Sequence, residues 1–137
     1  MIRQVRDGDA EAVIALWRAA GVLRPWNDPA KDFAFACRSA HATVLAAETD
    51  DRLVATCMVG EDGHRGWVYY LAVDPARRGD GLGRAMIAAA ERWLAERGVW
   101  KLQLLVRADN ADVVAFYKHL GFRDTATVCL QKVIAGI

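Results

Sequence analysis

The spacing of apolar residues predicts two helices in the first third of the chain. Apolar side chains recur at i, i+3, i+4 and i+7 and so share one helical face: Val13, Leu16, Trp17 and Ala20. This helix ends at Gly21. A rigid turn over 25–29 then precedes a second short helix that extends to about Arg38. Asn27 or Asp28 is placed to cap this helix, because either side chain can accept hydrogen bonds from backbone N–H groups.

The middle of the chain has the pattern of a β-sheet. Apolar and β-branched runs predict three strands, at residues 43–48, 52–59 and 67–73. Asp50 and Asp51 separate the first two runs and predict a hairpin. Pro75 follows the third run and ends it, because proline cannot donate to the ladder of hydrogen bonds. A further short strand is predicted over 2–5.

Helices and strands alternate in the rest of the chain. Helical spacing returns from Gly81 to Arg97 and ends at Gly98. A strand, a helix and closing β-structure follow, over 99–107, 110–120 and 122–134. Hairpin strands followed by β-α-β crossovers predict the α/β (α+β) class. We expect a single mixed, largely antiparallel sheet of about six or seven strands flanked by four helices.

Length and composition restrict the class of protein. The 137 residues suit a single domain over 1–137, and 54% hydrophobic with 26% charged residues excludes a disordered chain. Eighteen basic and seventeen acidic side chains leave a net charge of +1, so no overall field attracts nucleic acid or an anionic membrane. No apolar run approaches the roughly 20 residues that a membrane-spanning helix needs.

The three cysteines and the N-terminal sequence bear on the compartment. Cys37, Cys57 and Cys129 fit neither a disulfide framework nor the spacing of metal ligands. The first six residues contain no apolar core of a signal peptide. We therefore expect reduced thiols, no metal and a cytoplasmic location.

A glycine-rich segment joins the third predicted strand to the helix that follows it. Gly79, Gly81 and Gly83 occupy alternate positions there, and glycine permits the positive φ angles that turn successive N–H groups inward. The first turn of the helix adds unpaired N–H groups and a positive dipole end. Arginines supply charge at the rim: Arg77, Arg78 and Arg84. The segment is therefore expected to bind a pyrophosphate.

Two common nucleotide motifs do not fit this segment. A Walker loop requires Lys-Ser/Thr after its last glycine, whereas Arg84 and Ala85 follow Gly83. A dinucleotide fingerprint requires an acidic residue roughly 20 residues onwards, where Val99 and Trp100 stand instead. A glycine-rich turn with no ligand remains an alternative on this evidence alone.

The glycine-rich segment resembles the acetyl-CoA motif of the GCN-related N-acetyltransferase (GNAT) superfamily. Residues 78–83 fit its Arg/Gln-x-x-Gly-x-Gly/Ala pattern, and 71–73, 110–111 and 116–122 are similar to further parts of that superfamily. The resemblance extends over essentially the whole chain. Within the superfamily the chain is similar to the YpeA-like bacterial acetyltransferases, at residues 24–29, 62–67 and 106–110.

This resemblance implies a role for particular residues. The backbone of Leu71 and Val73 would pair with the pantetheine arm of acetyl-CoA, and the Val73 N–H would polarise the thioester carbonyl. Asn110 would also bind the arm, and Tyr117 would act as general acid near the sulfur. The implied donor-binding residues are Leu71, Ala72, Val73, Arg78, Gly79, Asp80, Gly81, Leu82, Gly83, Arg84, Asn110 and Tyr117. From the pattern alone, Tyr117 could equally be a core aromatic and Asn110 a helix cap.

The acceptor site is less clearly marked. An amine attacks only when neutral, so a base or a water relay must remove its proton. Glu61 is the first candidate for that base and His64 the second, although both could be ordinary turn residues. The expected walls of the acceptor pocket are Trp26, Asn27 and Tyr69.

The expected activity is transfer of an acetyl group from acetyl-CoA to a primary amine by direct attack in a ternary complex. The acceptor would be a small molecule or a peptide, and a homodimer is left open. One alternative is a catalytically idle CoA-binding or regulatory module. Another is an acetyltransferase of protein N-terminal α-amines, for which relatives carry a glutamate two residues before the arginine that matches Arg107. Leu105 stands there in this chain, which weakens that alternative.

Overall fold

Five strands and four α-helices make up residues 1–136, the part of the chain that the computed structural model describes. The strands are β1 (Ile2–Gln4), β2 (Ala42–Thr49), β3 (Arg52–Glu61), β4 (Gly66–Val73) and β5 (Leu102–Gln103). The helices are α1 (Ala10–Ala19), α2 (Pro29–Arg38), α3 (Leu82–Ala95) and α4 (Ala111–His119). Short 3₁₀ turns cover Asp7–Asp9 and Pro75–Arg77.

The strands form one mixed sheet, in the order β1-β2-β3-β4-β5. Neighbouring strands are antiparallel except for β4 and β5, whose parallel pairing joins Gly66 to Leu102 and Trp67 to Gln103. Asp50 and Asp51 both have positive φ angles, 53° and 60°, as a two-residue hairpin turn with the twist of its strands requires. The predicted fold class is confirmed.

The apolar face predicted for α1 packs on the sheet. Val13, Leu16 and Trp17 are buried, and they form a core cluster with α2 and with residues of β2 and β4: Phe33, Ala36, Val44 and Ala72. Asp28 is the cap of α2, since its Oδ1 accepts hydrogen bonds from the N–H groups of Ala30 and Lys31 at 3.1 and 3.2 Å. The core cluster packs α1 and α2 against the sheet, and the cap fixes the residue at which α2 begins.

The sheet has fewer strands than the sequence pattern indicated. The strand expected over 99–107 is reduced to Leu102–Gln103, and the closing β-structure expected over 122–134 has no strand within the described residues. Apolar and β-branched composition measures a preference for a pleated surface, whereas a strand also requires a neighbour that pairs with its backbone. In residues 99–107 only Leu102 and Gln103 have such a neighbour, and 122–134 pairs with no strand of the described chain.

The chain divides into two compact units, Met1–Leu105 and a smaller one from Val106 onwards. The first contains the whole sheet with α1, α2 and α3, and the second contains α4. A single domain over 1–137 remains a prediction. None of the helices in residues 1–136 has the length and apolarity that crossing a bilayer requires.

Gly66 provides a test of packing between α3 and β4. A Cβ atom at Gly66 would overlap the buried side chain of Leu94, with 2.7 Å to its Cδ2, so Gly66→Ala should lower the free energy of unfolding by about 1–3 kcal/mol. Gly8→Ala is the matched control, because nothing lies within 4 Å of the position of its Cβ. Urea unfolding of both variants measures the difference. Equal stabilities would contradict close packing at this contact.

Candidate active site

Two glycines shape the segment between β4 and α3. Gly79 and Gly81 have φ angles of +90° and +79°, in the left-handed region, and Gly81 caps α3. Nothing lies within 4 Å of the position that a Cβ would take at either glycine, so open space faces this backbone. Among residues 1–136, no side-chain hydrogen bond caps the first turn of α3. Its first N–H groups therefore remain available to an anion, as the glycine spacing predicts.

The charges around this segment favour an anion. Arg77 Nε lies 2.9 Å from Asp80 Oδ2, and this hydrogen bond raises the pKa of the arginine. Arg78 and Arg84 are exposed, and neither takes part in an ion pair within residues 1–136. The first turn of α3 contains no acidic residue. Two uncompensated guanidinium groups thus accompany the positive end of the helix dipole.

A β-bulge interrupts β4 just before this segment. Met58 pairs with Tyr69 and Thr56 with Ala72, so one residue of β3, Cys57, faces two residues of β4, Tyr70 and Leu71. Tyr70 has a φ angle of +52°, which is rare for an aromatic residue within a strand. The sequence pattern did not identify Tyr70. In the sequence, the bulge is signalled only by residues 67–73, where polar and apolar residues do not alternate as in a regular half-buried strand.

The edge of β4 beyond the bulge is open on the side of β5. The Asp74 N–H donates to Val54 O of β3 at 2.8 Å, and N–H groups alternate between the two edges of a strand, so those of Val73 and Leu71 point away from β3. In the described residues, β5 pairs only with the first two residues of β4. An extended ligand could therefore add to this edge as a strand does.

The turn over 60–66 is organised by Asp62. Its carboxylate accepts hydrogen bonds from the N–H groups of His64 and Arg65, at 2.9 and 2.8 Å, and from Trp67 Nε1 at 3.0 Å. These bonds, led by the one from Arg65, lower the pKa of Asp62 to about 2. His64 is exposed, with Nε2 2.6 Å from a guanidinium nitrogen of Arg65.

Glu61 is paired with a histidine that the sequence did not connect to it. Glu61 is the last residue of β3, and its Oε1 lies 2.9 Å from His41 Nδ1. Glu61 pairs with Gly66, which precedes Leu71 by five residues, or about 16 Å at the rise of a strand. The structure thus places Glu61 and His64 at the end of β4 that is remote from the glycine-rich segment.

The other expected acceptor residues are on the surface of the first unit. Trp26 is 57% exposed and lies with Asn27 in the turn before α2. Tyr69 is 45% exposed, and its ring is stacked on Trp67 with 6.4 Å between centroids. Trp26 and Asn27 therefore belong to one loop, and Tyr69 belongs to the strand that carries the bulge.

The second unit holds the two remaining candidates. Asn110 caps α4, with its Oδ1 accepting from the Val113 N–H at 3.3 Å. Tyr117 is buried on the same helix, and its ring meets the rings of Phe116 and Phe122 edge-on at 5.1 and 5.4 Å. Both contacts agree with the structural interpretation that the pattern left open, and the roles in donor binding and catalysis remain predictions.

Comparisons with known proteins agree on one family. Residues 10–122 match the family model described as Acetyltransferase (GNAT) family. An acetyltransferase of Pectobacterium atrosepticum is 41% identical over 131 residues, which cover 96% of this chain and 93% of that protein. An acetyltransferase of Yersinia pseudotuberculosis is 40% identical over the same shares of the two chains.

Solved structures show the same fold. The ribosomal-protein-S18-alanine N-acetyltransferase from Escherichia coli has a TM-score of 0.79 at 28% identity, over 92% of this chain and 79% of that one. The aminoglycoside acetyltransferase AAC(6')-Iy, in complex with the bisubstrate analog CoA-S-monomethyl-acetylneamine, has a TM-score of 0.84 at 18% identity, over 98% of both chains. The similarity to the second protein concerns the fold alone.

The hydrogen bonds of Asp62 predict an unusual titration. Its carboxyl should titrate near pH 2 rather than at the ordinary 3.8, so it stabilises the folded state above pH 3.8 and loses this effect as the pH falls towards 2. In Trp67→Phe the midpoint should rise but stay below 3.8, because the two backbone donors remain. Carboxyl-carbon NMR measures both midpoints. A wild-type midpoint of 3.8 would contradict the hydrogen-bonded turn.

Proposed function

Because the chain belongs to the acetyltransferase (GNAT) family, we propose that it transfers an acetyl group from acetyl-CoA to a primary amine, by direct attack within a ternary complex. The acceptor would be a small molecule or a peptide. The strongest support is that the open edge of β4, at Leu71 and Val73, leads directly along the chain into the glycine-rich segment over 78–83. A phosphate-binding backbone followed by an unpaired strand edge matches a ligand with a pyrophosphate and an extended arm.

The proposed binding of the donor uses mainly the backbone. N–H groups from Arg78 to Gly83 hold the pyrophosphate, with Arg84 adding charge at the rim. The arm then runs along β4, where the backbone groups of Leu71 and Val73 pair with it. We propose Val73 as the donor to the thioester carbonyl, with the Leu71 N–H on the same edge. A backbone N–H aimed at developing negative charge stabilises the transition state by a few kcal/mol.

The attack is proposed to be direct rather than through an acyl-enzyme. Cys57 is the cysteine that lies opposite the bulge, but burial raises the pKa of its thiol to about 12. A protonated thiol is a poor nucleophile. The amine nitrogen would therefore form the new bond to the thioester carbon while the bond from carbon to sulfur breaks.

Two protons accompany this exchange. Tyr117 is proposed to give a proton to the leaving thiolate. A base has to accept the amine proton, directly or through water. Gly66, the partner of Glu61, lies about 16 Å along β4 from Leu71, so we propose that a relay of water molecules carries this proton to Glu61, with His64 as the second candidate. Glu61 and His64, with Trp26, Asn27 and Tyr69, are proposed to contact more distant parts of the acceptor.

A protein N-terminus is the second candidate for the acceptor. The similarity to the ribosomal-protein-S18-alanine acetyltransferase, 28% identical over 92% of this chain, favours it. Leu105 cannot take up a proton, in contrast to the glutamate that the resemblance requires there, which favours other amines. For the compartment we propose the cytoplasm, supported by the free thiols of Cys37, Cys57 and Cys129.

Turnover of acetyl-CoA with a panel of amines tests the proposed function. The panel should include small polyamines, aminoglycosides and a peptide with an N-terminal alanine, with thiol release as the readout. We expect release above the amine-free rate for at least one class. Tight CoA binding without any amine-dependent release would instead favour the idle CoA-binding or regulatory module.

Replacement of Gly81 tests the phosphate-binding backbone. Valine at a φ of +79° is strained by about 1–3 kcal/mol and reorients the N–H groups, so Gly81→Val should raise the Kd for acetyl-CoA at least tenfold. Gly98→Val is the control, because Gly98 has a φ of +78° and equally open surroundings after the other end of α3. It should lose similar stability and keep its affinity in calorimetry. If the two folded variants bind acetyl-CoA with equal affinity, the glycine-rich segment does not take part in donor binding.

Tyr117→Phe separates the chemical role of Tyr117 from its structural one. Phenylalanine keeps the ring contacts with Phe116 and Phe122 and removes only the hydroxyl. If Tyr117 protonates the thiolate, kcat should fall by about 10²-fold or more, with little change in acetyl-CoA affinity. Stability should change by no more than about 1 kcal/mol. A kcat equal to that of the wild type, measured where chemistry limits the rate, would show that Tyr117 has a structural role only.

A further inference from the structure

We propose that Asp32, Trp17 and Thr56 are positioning residues for the donor site. They hold Tyr70 in its left-handed conformation. Tyr70 in turn maintains the bulge, which directs the N–H groups of Leu71 and Val73 to the open edge of β4. This inference rests on the proposed function, because the edge is the surface to which the acyl donor is proposed to bind.

The conformation of Tyr70 requires support from its surroundings. A φ angle of +52° is uncommon for a residue with a Cβ and is an outlier for a bulky side chain. Such residues persist only where the surrounding structure fixes them, and they are concentrated at functional sites. The φ angle of Tyr70 therefore indicates that neighbouring residues stabilise this conformation.

Three different parts of Tyr70 are held by three different elements. Its hydroxyl donates a hydrogen bond to Asp32 Oδ2 of α2 at 2.6 Å. Its ring is stacked on Trp17 of α1, with 4.0 Å between centroids and 9° between planes. Its backbone carbonyl accepts a hydrogen bond from Thr56 Oγ1 of β3 at 3.4 Å. Hydroxyl, ring and carbonyl thus constrain the side chain and the backbone together.

The supporting residues are also joined to each other. Trp17 Nε1 donates to Thr56 Oγ1 at 2.9 Å, and both residues are fully buried. Burial and the bond to Asp32 raise the pKa of the Tyr70 hydroxyl, with a smaller contribution from the charge of Asp28, so the hydroxyl remains a donor. The network therefore closes around the bulge from α1, α2 and β3.

The bulge decides which edge of β4 each N–H group faces. The pattern of N–H groups in a strand has a period of two residues, so the one extra residue at the bulge reverses it. Without the bulge, the N–H groups of Leu71 and Val73 would exchange edges with those of Ala72 and Asp74. The support of Tyr70 is thereby coupled to the direction of the donor-binding groups, and it should affect catalysis as well as stability.

Two conservative substitutions test this coupling. Tyr70→Phe keeps the stacking on Trp17 and removes the hydroxyl, and Asp32→Asn keeps the shape and removes the charge of the acceptor. Glu11→Gln is the matched control, because Glu11 is likewise an acidic residue in the first turn of a helix and is exposed. The measurements are kcat, the KM for each substrate, the Kd for CoA and the melting temperature, at a temperature where every variant is folded.

We expect kcat to fall at least tenfold and the Kd for CoA to rise at least threefold in each folded variant, with an unchanged KM for the amine. The double variant should resemble Tyr70→Phe, since both substitutions act on the same hydrogen bond, which Tyr70→Phe removes and Asp32→Asn weakens. Glu11→Gln should match the wild type within twofold. Wild-type kcat and Kd in folded Tyr70→Phe and Asp32→Asn would overturn the inference, and so would a rise in the KM for the amine alone.

The inference and the proposed function can fail separately. If wild-type protein releases no thiol with any amine, the proposed acyl transfer fails, and the Kd for CoA alone then decides whether the network positions the edge. Unchanged CoA affinity in both folded variants would reject the network under that condition. A threefold weaker affinity would retain it for a CoA-binding site without turnover.

Discussion

The extra residue in β4 is the constraint on which the candidate site depends. At this point Tyr70 and Leu71 face the single residue Cys57, and the ladder between β3 and β4 shifts by one position. Before the bulge, β4 pairs with β3 along its length and with β5 at its first two residues. After it, one edge carries N–H groups with no partner strand in the described residues. In a regular strand, this edge would carry the N–H groups of Ala72 and Asp74 in place of those of Leu71 and Val73.

The order of features along the chain makes the edge useful. Val73 is followed within five residues by the glycine-rich segment, in which Gly79 and Gly81 adopt positive φ angles and from which a 14-residue helix begins. The helix begins with unpaired N–H groups, no acidic residue in its first turn and two exposed arginines nearby. A neutral, open strand edge therefore passes directly into a segment that favours an anion. The proposed binding of acetyl-CoA would use this succession with very few specific side chains.

Local chemistry explains which parts of the structure could be predicted from the sequence. The α1 face, the hairpin at Asp50 and Asp51 and the glycine-rich segment are encoded by short-range spacing and by residues with special φ angles. The bulge at Tyr70 could not be predicted, because Tyr70 is held by three residues that are all more than ten positions away in the chain: Trp17, Asp32 and Thr56.

The same distinction explains the weaker predictions. The composition of 122–134 is typical of a strand, but composition does not provide a pairing partner, and no strand forms there in the described chain. The sequence predicts Glu61 as a candidate base because it is a carboxylate in the turn before β4, and this role stays a prediction. Its pairing with His41 follows from strand register, which the local pattern does not give.

Amide hydrogen exchange with and without CoA tests the central claim most directly, because it observes the β4 edge itself. The account predicts that CoA slows exchange of the Leu71 and Val73 N–H groups at least tenfold. The Asp74 N–H, already bonded to Val54 O, should change little. Protection confined to other residues, or equal protection of Asp74 and Val73, would contradict binding of the donor along this edge.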